Sequence, residues 1–313
     1  MLLLVLASVL AVARADCDAC IEGRCYTRKT LARELHIPDQ MAIDRKNGIL
    51  YVHTDSEMNT AFFHEDLTIQ LVRRQNFTGL AVDQDTQILY TADSKNIQQY
   101  SKDSLNTCNN KTVLPRKFGN EQPIMLIHKD CITYTKKSKT GLFFLNKDGT
   151  EEWIYGSSKK FTISDFVVQV GCIPTKLYFV ANDTTYFLGH SEKTINGTTK
   201  FVPDDSLLVA RKNFVLSTDK YNNVFFKDAT LNVIYKMNDE TNKLVEYAAY
   251  ESGSVDKFVF DKNNNIVFYD SSDGSFNLWK PDLSDSARCT ITAPHSKYQI
   301  TKKPNIDQNC FNH

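Results

Sequence analysis

The usual sequence motifs of hydrolytic enzymes are missing from this chain. None of its seven histidines lies in an H-E-x-x-H or H-x-H pattern, which disfavours a zinc hydrolase. There is no G-x-S-x-G motif and no glycine-rich phosphate loop, and the chain has only 12 glycines in 313 residues. We therefore expect neither a serine hydrolase nor a zinc hydrolase of the familiar kinds, and no catalytic residue is assigned.

Cysteine is the other reactive residue type, and its number is even. Eight cysteines in an oxidising compartment predict disulfide bonds, although the pairing stays open. A C-x-x-C pair also occurs in redox and zinc sites, but no second such pair follows here. We expect at least one bond to hold the two ends of the chain together, and a second to link neighbouring repeats through Cys131 and Cys172. The cysteines are Cys17, Cys20, Cys25, Cys108, Cys131, Cys172, Cys289 and Cys310.

A ten-residue pattern recurs along the chain and indicates a repeat architecture. Its clearest copies begin at Asp44, Asp219 and Asp261, and a close variant begins at Asp83. With two looser copies near residues 129 and 171, the period is roughly 40 to 48 residues, which is typical of four-stranded propeller blades. The sequence therefore predicts an all-β fold, a six-bladed β-propeller of four-stranded antiparallel blades with ends joined by disulfides. A generic β-sandwich is the alternative.

Local composition supports strands rather than helices. Segments such as 49–52, 223–226 and 265–269 are rich in β-branched and aromatic residues and are bounded by Asn, Asp and Gly. Asn47-Gly48 and Asp273-Gly274 are typical of tight hairpin turns. We expect successive antiparallel hairpins and few helices.

Residues just before each repeat should open the innermost strands and surround the central funnel. There they would present polar groups beside aromatic rings, a mixture that suits a flat organic ligand with polar substituents. An alternative is that these side chains only close the channel by hydrogen bonding to one another. The predicted ligand-binding residues are Asp39, Gln40, Phe77, Thr78, Gln122, Asp165, Phe166, Arg211, Asp256 and Lys257.

The same positions could also form a catalytic calcium site of the gluconolactonase and paraoxonase type. Asp39, Asp165 and Asp256 could supply carboxylate ligands. Asparagine ligands are missing, however, and Lys257 lies among the carboxylates. We therefore predict no metal and no cofactor, and a calcium-dependent lactone hydrolase is kept as an alternative function.

The N-terminal residues have the pattern of a secretory signal peptide. Residues 1–15 combine an apolar run with small residues at Ala13 and Ala15, which predicts cleavage before Asp16. The remaining 16–313 should form one propeller domain, with a cysteine-rich segment 16–36 before it and a closing segment 285–313 after it. Four N-x-T sequons agree with secretion: Asn76, Asn110, Asn182 and Asn196.

Charge gives information about partners. Lysine plus arginine and aspartate plus glutamate are equal at 37 each, and loss of Arg14 with the signal peptide barely changes this. Without a basic excess, neither a nucleic acid nor an anionic membrane is an expected partner. We expect a secreted, extracellular, monomeric protein.

The first part of the mature chain resembles the ommochrome-binding proteins of lepidopteran hemolymph. The resemblance lies in a C-x-x-C-x-x-G-x-C-Y opening from Cys17 to Tyr26, a Pro-Asp-Gln at residues 38–40, and the Asp-Arg-Lys-Asn turn at 44–47. The later repeats resemble six-bladed propellers in general.

This resemblance implies a secreted hemolymph carrier of ommochromes, which are tryptophan-derived phenoxazinone pigments. Such ligands are planar and aromatic and carry carboxylate and amino groups. Lys257 or Arg211, together with aromatic side chains, could bind them non-covalently. An extracellular protein-binding propeller remains a further alternative.

Overall fold

The ten-residue repeat corresponds to the turn between two antiparallel strands. Asp219 directly follows one strand, and its carboxylate accepts hydrogen bonds from the backbone N–H groups of Tyr221 and Asn223 and from the Asn223 side chain. Asp261 makes the same bonds to Asn263 and Asn265. An aspartate at this place compensates the backbone donors that a tight turn leaves unpaired, which explains why it recurs.

The computed structural model describes part of the chain, and the strands below lie within it. The described residues are 17–33, 38–54, 57–62, 79–92, 96–100, 111–115, 124–128, 131–135, 141–145, 150–155, 162–169, 176–195, 198–203, 207–228, 230–251, 253–282 and 301–302.

The strands form consecutive antiparallel groups, here called blades I to VI. Blades I to III are β3 Gln40–Asp44, β4 Ile49–Thr54 and β5 Glu57–Phe62; β6 Gly79–Val82, β7 Leu89–Ala92, β8 Asn96–Tyr100 and β9 Lys111–Pro115; and β10 Met125–His128, β11 Cys131–Thr135, β12 Leu142–Leu145 and β13 Glu151–Tyr155. Blades IV to VI are β14 Ile163–Gln169, β15 Lys176–Ala181, β16 Thr184–Ile195 and β18 Leu207–Ala210; β19 Phe214–Thr218, β20 Val224–Asp228, β21 Val233–Asn238 and β22 Lys243–Tyr250; and β23 Lys257–Phe260, β24 Ile266–Asp270 and β25 Ser275–Pro281.

Four further strands extend these blades. The N-terminal hairpin consists of β1 Ala19–Ile21 and β2 Arg24–Ala32. In blade IV, β17 Thr198–Pro203 pairs with β16, and the short β26 Thr301–Lys302 pairs with β18. Among the residues described, no segment is helical, so no helix there could cross a membrane.

Apolar clusters lie between consecutive blades and close them into a ring. Second strands such as β20 and β24 are buried along their whole length, because their side chains point alternately toward the preceding and the following blade. Phe226 packs toward blade IV, for example, whereas Phe225 packs toward blade VI. A further cluster joins Val267 of blade VI to Leu50 of blade I. Each blade therefore stabilises two neighbours.

The N-terminal hairpin completes the outer edge of the ring. Strand β2 pairs antiparallel with β25, the outer strand of blade VI, and β1 pairs with β22 of blade V. The sequence prediction placed Cys17, Cys20 and Cys25 before the first blade, but Cys25 lies in a strand that belongs to blade VI. Backbone hydrogen bonds thus join the start of the chain to the last blade.

The resolved disulfide lies inside this hairpin. Cys17 is bonded to Cys25, and Cys20 is also disulfide-bonded. A disulfide between the two ends of the chain, and one between Cys131 and Cys172, stay predictions. Cys108, Cys172, Cys289 and Cys310 lie outside the described residues, as does the side chain of Cys131.

One predicted sequon can be placed. Asn182 is exposed in the turn between β15 and β16, with φ of 48°. Asn76, Asn110 and Asn196 lie outside the described residues. The position of Asn182 is compatible with modification, and glycosylation of all four sites stays a prediction.

Candidate functional site

A cavity of about 280 Å³ lies along the axis of the ring. Each described blade contributes its innermost strand (β3, β6, β10, β14, β19 and β23) to the lining. They run in the same direction, since the start of β3 contacts the start of β6, while residues after β3 contact the ends of β19 and β23. We call the end where these strands begin the upper end of the cavity, and the other the lower end.

The middle of the cavity has aliphatic walls. Six apolar side chains from five of the innermost strands or their first flanking residues line it and are only half-buried, as expected of groups that border an internal space. This surface would be covered by the body of an apolar ligand. The six residues are Met41, Ile124, Leu126, Val168, Val215 and Val259.

Asp165 lies at the upper end, where its carboxylate joins blades IV and V. The backbone N–H of Phe166 donates to Oδ1 at 2.9 Å, and the N–H of Leu216 donates to Oδ2 at 2.9 Å. A register irregularity between Ile163 and Asp165 leaves this part of β14 off the regular ladder. Burial raises the pKa of Asp165, against the opposing effects of Lys257 and of the two N–H groups.

Lys257 begins β23 at the same end. Its side chain is half-buried and lines the cavity, close enough to Asp165 for its charge to affect that carboxyl. Within the part of the chain that is described, its ammonium has no hydrogen bond and no ion pair within 4.0 Å. A partly desolvated cation without a protein partner is suited to bind an acceptor group of a ligand.

Asp39 and Gln40 complete the described part of the upper end. The side chain of Asp39 is 41% exposed, and its Oδ2 lies 3.5 Å from His53 Nδ1. Gln40 Oε1 accepts a hydrogen bond from the N–H of Leu80 at 3.0 Å, so this side chain joins blade I to blade II. The upper end therefore combines an accessible carboxylate with the Lys257 cation.

At the lower end, the cavity is lined by Arg45 and Gln84, together with Asp85 and Lys220. Arg45 Nε donates to the carbonyl of Phe260 at 3.1 Å, and Nη2 donates to the carbonyl of Thr218 at 2.7 Å. Gln84 Nε2 donates to the carbonyl of Ile43 at 2.6 Å. Burial lowers the pKa of Arg45, although the nearby charges of Asp219 and Asp261 oppose that effect.

The structure brings together half of the residues that the sequence predicts for ligand binding. Asp39, Gln40, Asp165, Phe166 and Lys257 line the cavity. Arg211 and Asp256 do not line it. Arg211 is exposed, and Asp256 accepts hydrogen bonds from the Ser254 hydroxyl and the Ser271 N–H. Phe77, Thr78 and Gln122 lie outside the described residues.

Phe166 has a different environment from the one expected at a funnel rim. It is 1% exposed and packs in the cluster between blades III and IV. Phe258, the other aromatic residue in the described lining, is also buried. The described walls consequently offer aliphatic contacts to a ligand rather than open aromatic faces.

Sequence reasoning missed Arg45 as a lining residue. The sequence pattern places Arg45 only in a turn motif, whereas the predicted ligand-binding residues precede the innermost strands. Its position directly after β3 was the available signal, because a residue that follows an innermost strand lies at the opposite mouth of the same channel.

The carboxylates described near the upper end do not fit the coordination of a calcium ion. Both oxygens of Asp165 accept backbone N–H groups, and the Asp256 carboxylate accepts hydrogen bonds from Ser254 and Ser271. Lys257 places a positive charge beside Asp165. Among the described residues, no group of three or more His, Cys, Asp or Glu could hold a metal.

Solved structures with the same fold include proteins of several kinds. A gluconolactonase from Xanthomonas campestris superposes with a TM-score of 0.61 at 13% identity, over 86% of this chain and 97% of that chain. The Cps50 (Swd1) β-propeller domain from Myceliophteria thermophila superposes with a TM-score of 0.56 at 9% identity, over 82% and 100%. A streptogramin B lyase superposes with a TM-score of 0.50 at 10% identity, over 82% and 98%.

The chain has the β-propeller fold. This confirms the predicted fold class, while the number of blades in the whole chain stays a prediction because parts of it lie outside the described residues. No protein-family model matches the chain, and no curated protein matches it either. At identities this low the similarity concerns the fold, and function has to be argued from the cavity.

Proposed function

We propose that this chain is a secreted binding protein that holds a small organic ligand in its central cavity without catalysing a reaction. The observation that carries the proposal is the half-buried Lys257 ammonium, which has no protein partner in the described part of the chain and lies above aliphatic walls. A cavity of about 280 Å³ is near the lower end of the range of ligand pockets. A ligand of modest size with a flat apolar body would fill it.

The charges at the upper end suit a ligand with both a carboxylate and an amino group. Lys257 would bind the carboxylate, and the accessible Asp39 would bind the ammonium. Ommochromes carry such groups on a planar ring system, and the resemblance of the N-terminal segment supports this ligand class. We therefore propose a hemolymph carrier of ommochrome-type pigments.

A lactone hydrolase is the second candidate, and two observations favour it. One is the similarity in fold to a gluconolactonase. The other is Asp165, because a carboxyl with a raised pKa beside a cavity is a reasonable general base. Against it, both Asp165 oxygens already accept backbone hydrogen bonds.

The first test is a titration of the purified protein with xanthommatin, comparing wild type with Lys257→Met. Methionine keeps much of the apolar stem and removes the charge, so the affinity should fall about tenfold or more, which is the effect of losing one charge-assisted hydrogen bond. Lys243→Met, at an exposed lysine that begins β22, is the matched control and should bind like wild type.

Two results would contradict the proposal. One is equal affinity for wild type and a folded Lys257→Met variant. The other is that wild type hydrolyses glucono-lactone, loses this activity in Asp165→Asn, and does not bind the pigment. That result would favour the hydrolase. Repeating both measurements with and without a chelator tests dependence on a divalent ion.

A further inference from the structure

Arg45 lies in the cavity at the end opposite Lys257, where Lys220 also lines it. Its guanidinium reaches across the ring from blade I to backbone carbonyls of blades V and VI. It also lines the cavity. These two bonds use Nε and one hydrogen of Nη2, so the group is held in place by only part of its five donors.

The remaining donors of Arg45 have no acceptor in the described part of the protein. No carboxylate lies within 4.0 Å of the guanidinium there, and Nη1 makes no hydrogen bond. Asp219 and Asp261, whose charges act on Arg45, accept hydrogen bonds from backbone and side-chain groups of their own turns. Burial lowers the pKa of Arg45, and the charges of Asp219 and Asp261 offset this effect only in part.

Lys257 and Arg45 are separated by an aliphatic part of the cavity wall. Lys257 begins β23, and the carbonyl that binds Arg45 Nε belongs to Phe260, three positions further along that strand. At the rise of a β-strand, these positions lie about 10 Å apart along the cavity. Val259 and Val215 line the wall between them.

From this arrangement we infer that the ligand is an elongated aromatic anion with acceptor groups at both ends, about 10 Å apart, and that Arg45 is the residue that selects for the second acceptor. The inference rests on the proposed function, because it concerns the same cavity. A ligand with a single anionic end would leave the Arg45 donors without an acceptor, which costs affinity.

The test uses two probes that differ only in the second acceptor: para,para-biphenyl dicarboxylate and biphenyl para-monocarboxylate. Calorimetric titration should show that wild type binds the dicarboxylate about tenfold or more tightly than the monocarboxylate. In Arg45→Gln this preference should fall below about twofold. In Lys46→Gln, which removes the neighbouring exposed cation, it should be unchanged.

The ratio of two affinities within one variant is insensitive to general loosening of the cavity. If Arg45→Gln does not fold, the ratio of dicarboxylate to monocarboxylate affinity is compared between wild type and Arg45→Lys. Lysine keeps the charge but loses the second donor arm, so the ratio should fall in that variant. Equal affinities in wild type, an unchanged ratio in Arg45→Gln, or no binding of either acid would each overturn the inference. The proposed function would survive these outcomes if xanthommatin binding still depended on Lys257, and would fail only if that dependence were absent.

Discussion

At the scale of single residues, the polar side chains around the cavity serve both to join blades and to shape the site. Gln40 and Asp165 accept backbone N–H groups of the neighbouring innermost strand, while Arg45 donates to carbonyls across the ring. The sequence left open the alternative that such side chains close the channel by hydrogen bonding to one another. This holds for Gln40 and Asp165 only in part, because their partners are backbone N–H groups. Lys257 differs from them in having no partner among the described residues.

Asp165 should contribute to stability through its two backbone hydrogen bonds. Asp165→Asn keeps the size but replaces one acceptor with a donor, which leaves one buried N–H unpaired and should cost about 1–3 kcal/mol. Chemical denaturation checks this. Glu240→Gln, at an exposed turn position, is the matched control and should be neutral. Equal stability of both variants would show that the bonds to Asp165 contribute nothing.

The same residue predicts a pH dependence of known sign. The folded-state pKa of Asp165 is raised above its ordinary value of 3.8. Its protonated form is therefore favoured by folding, and the associated stability is present at low pH and lost as pH rises through the folded pKa. Relative to Asp165→Asn, wild type should therefore gain unfolding free energy as pH is lowered from about 7 to about 4. The opposite slope would contradict the assignment.

At the scale of elements, the N-terminal hairpin is anchored to blade VI by Arg28. Its Nη1 lies 2.8 Å from Asp270 Oδ2, and Nη2 lies 2.7 Å from Asp273 Oδ2. Asp270 is fully buried and also accepts hydrogen bonds from Ser254 and Ser272. Although burial opposes ionisation, these bonds and the Arg28 charge hold the pKa of Asp270 below its usual value.

Arg28→Ala should weaken this attachment. It removes the cation that compensates a buried carboxylate, and the expected loss is about 2–3 kcal/mol, somewhat less than for a fully buried pair because the Arg28 side chain is 20% exposed. Arg24→Ala, at an exposed position of the same strand, should have little effect. Thermal and denaturant unfolding of both variants measure the difference, and equal losses would mean that the ion pairs are dispensable.

At the scale of the whole molecule, the ring is closed by backbone pairing across the ends of the chain. Strand β2 covers the outer edge of β25, a strand that would otherwise present unpaired backbone groups. The Cys17–Cys25 disulfide supports this arrangement locally, because it restrains the hairpin that carries β2. Closure by hydrogen bonding is therefore built into the fold, whatever other disulfides contribute.

Deletion of residues 17–33 should destroy this closure. The truncated chain should lose its single unfolding transition and associate through the exposed β25 edge, as judged by calorimetry and size-exclusion chromatography. Addition of the oxidised 17–33 peptide should restore the transition, since the peptide can pair with β25 in trans. A truncated chain that stays monomeric with an unchanged melting temperature would show that the hairpin is not needed.

The sequence by itself determined the local features of this protein. The Asp turns, the apolar second strands and the period of the repeat depend on neighbours within a few residues, so they predicted the propeller and the positions of Asp39, Asp165 and Lys257. The positions of strands further from the axis, such as β8, were not predicted, because they are half-exposed and carry polar residues such as Gln98.

Only the tertiary structure decided which of these residues meet. That Arg45 crosses to blades V and VI, that Asp256 turns away from the cavity, and that β2 joins blade VI are contacts between residues far apart in the chain. Such contacts depend on how the blades close into a ring, a property that local spacing and composition do not contain.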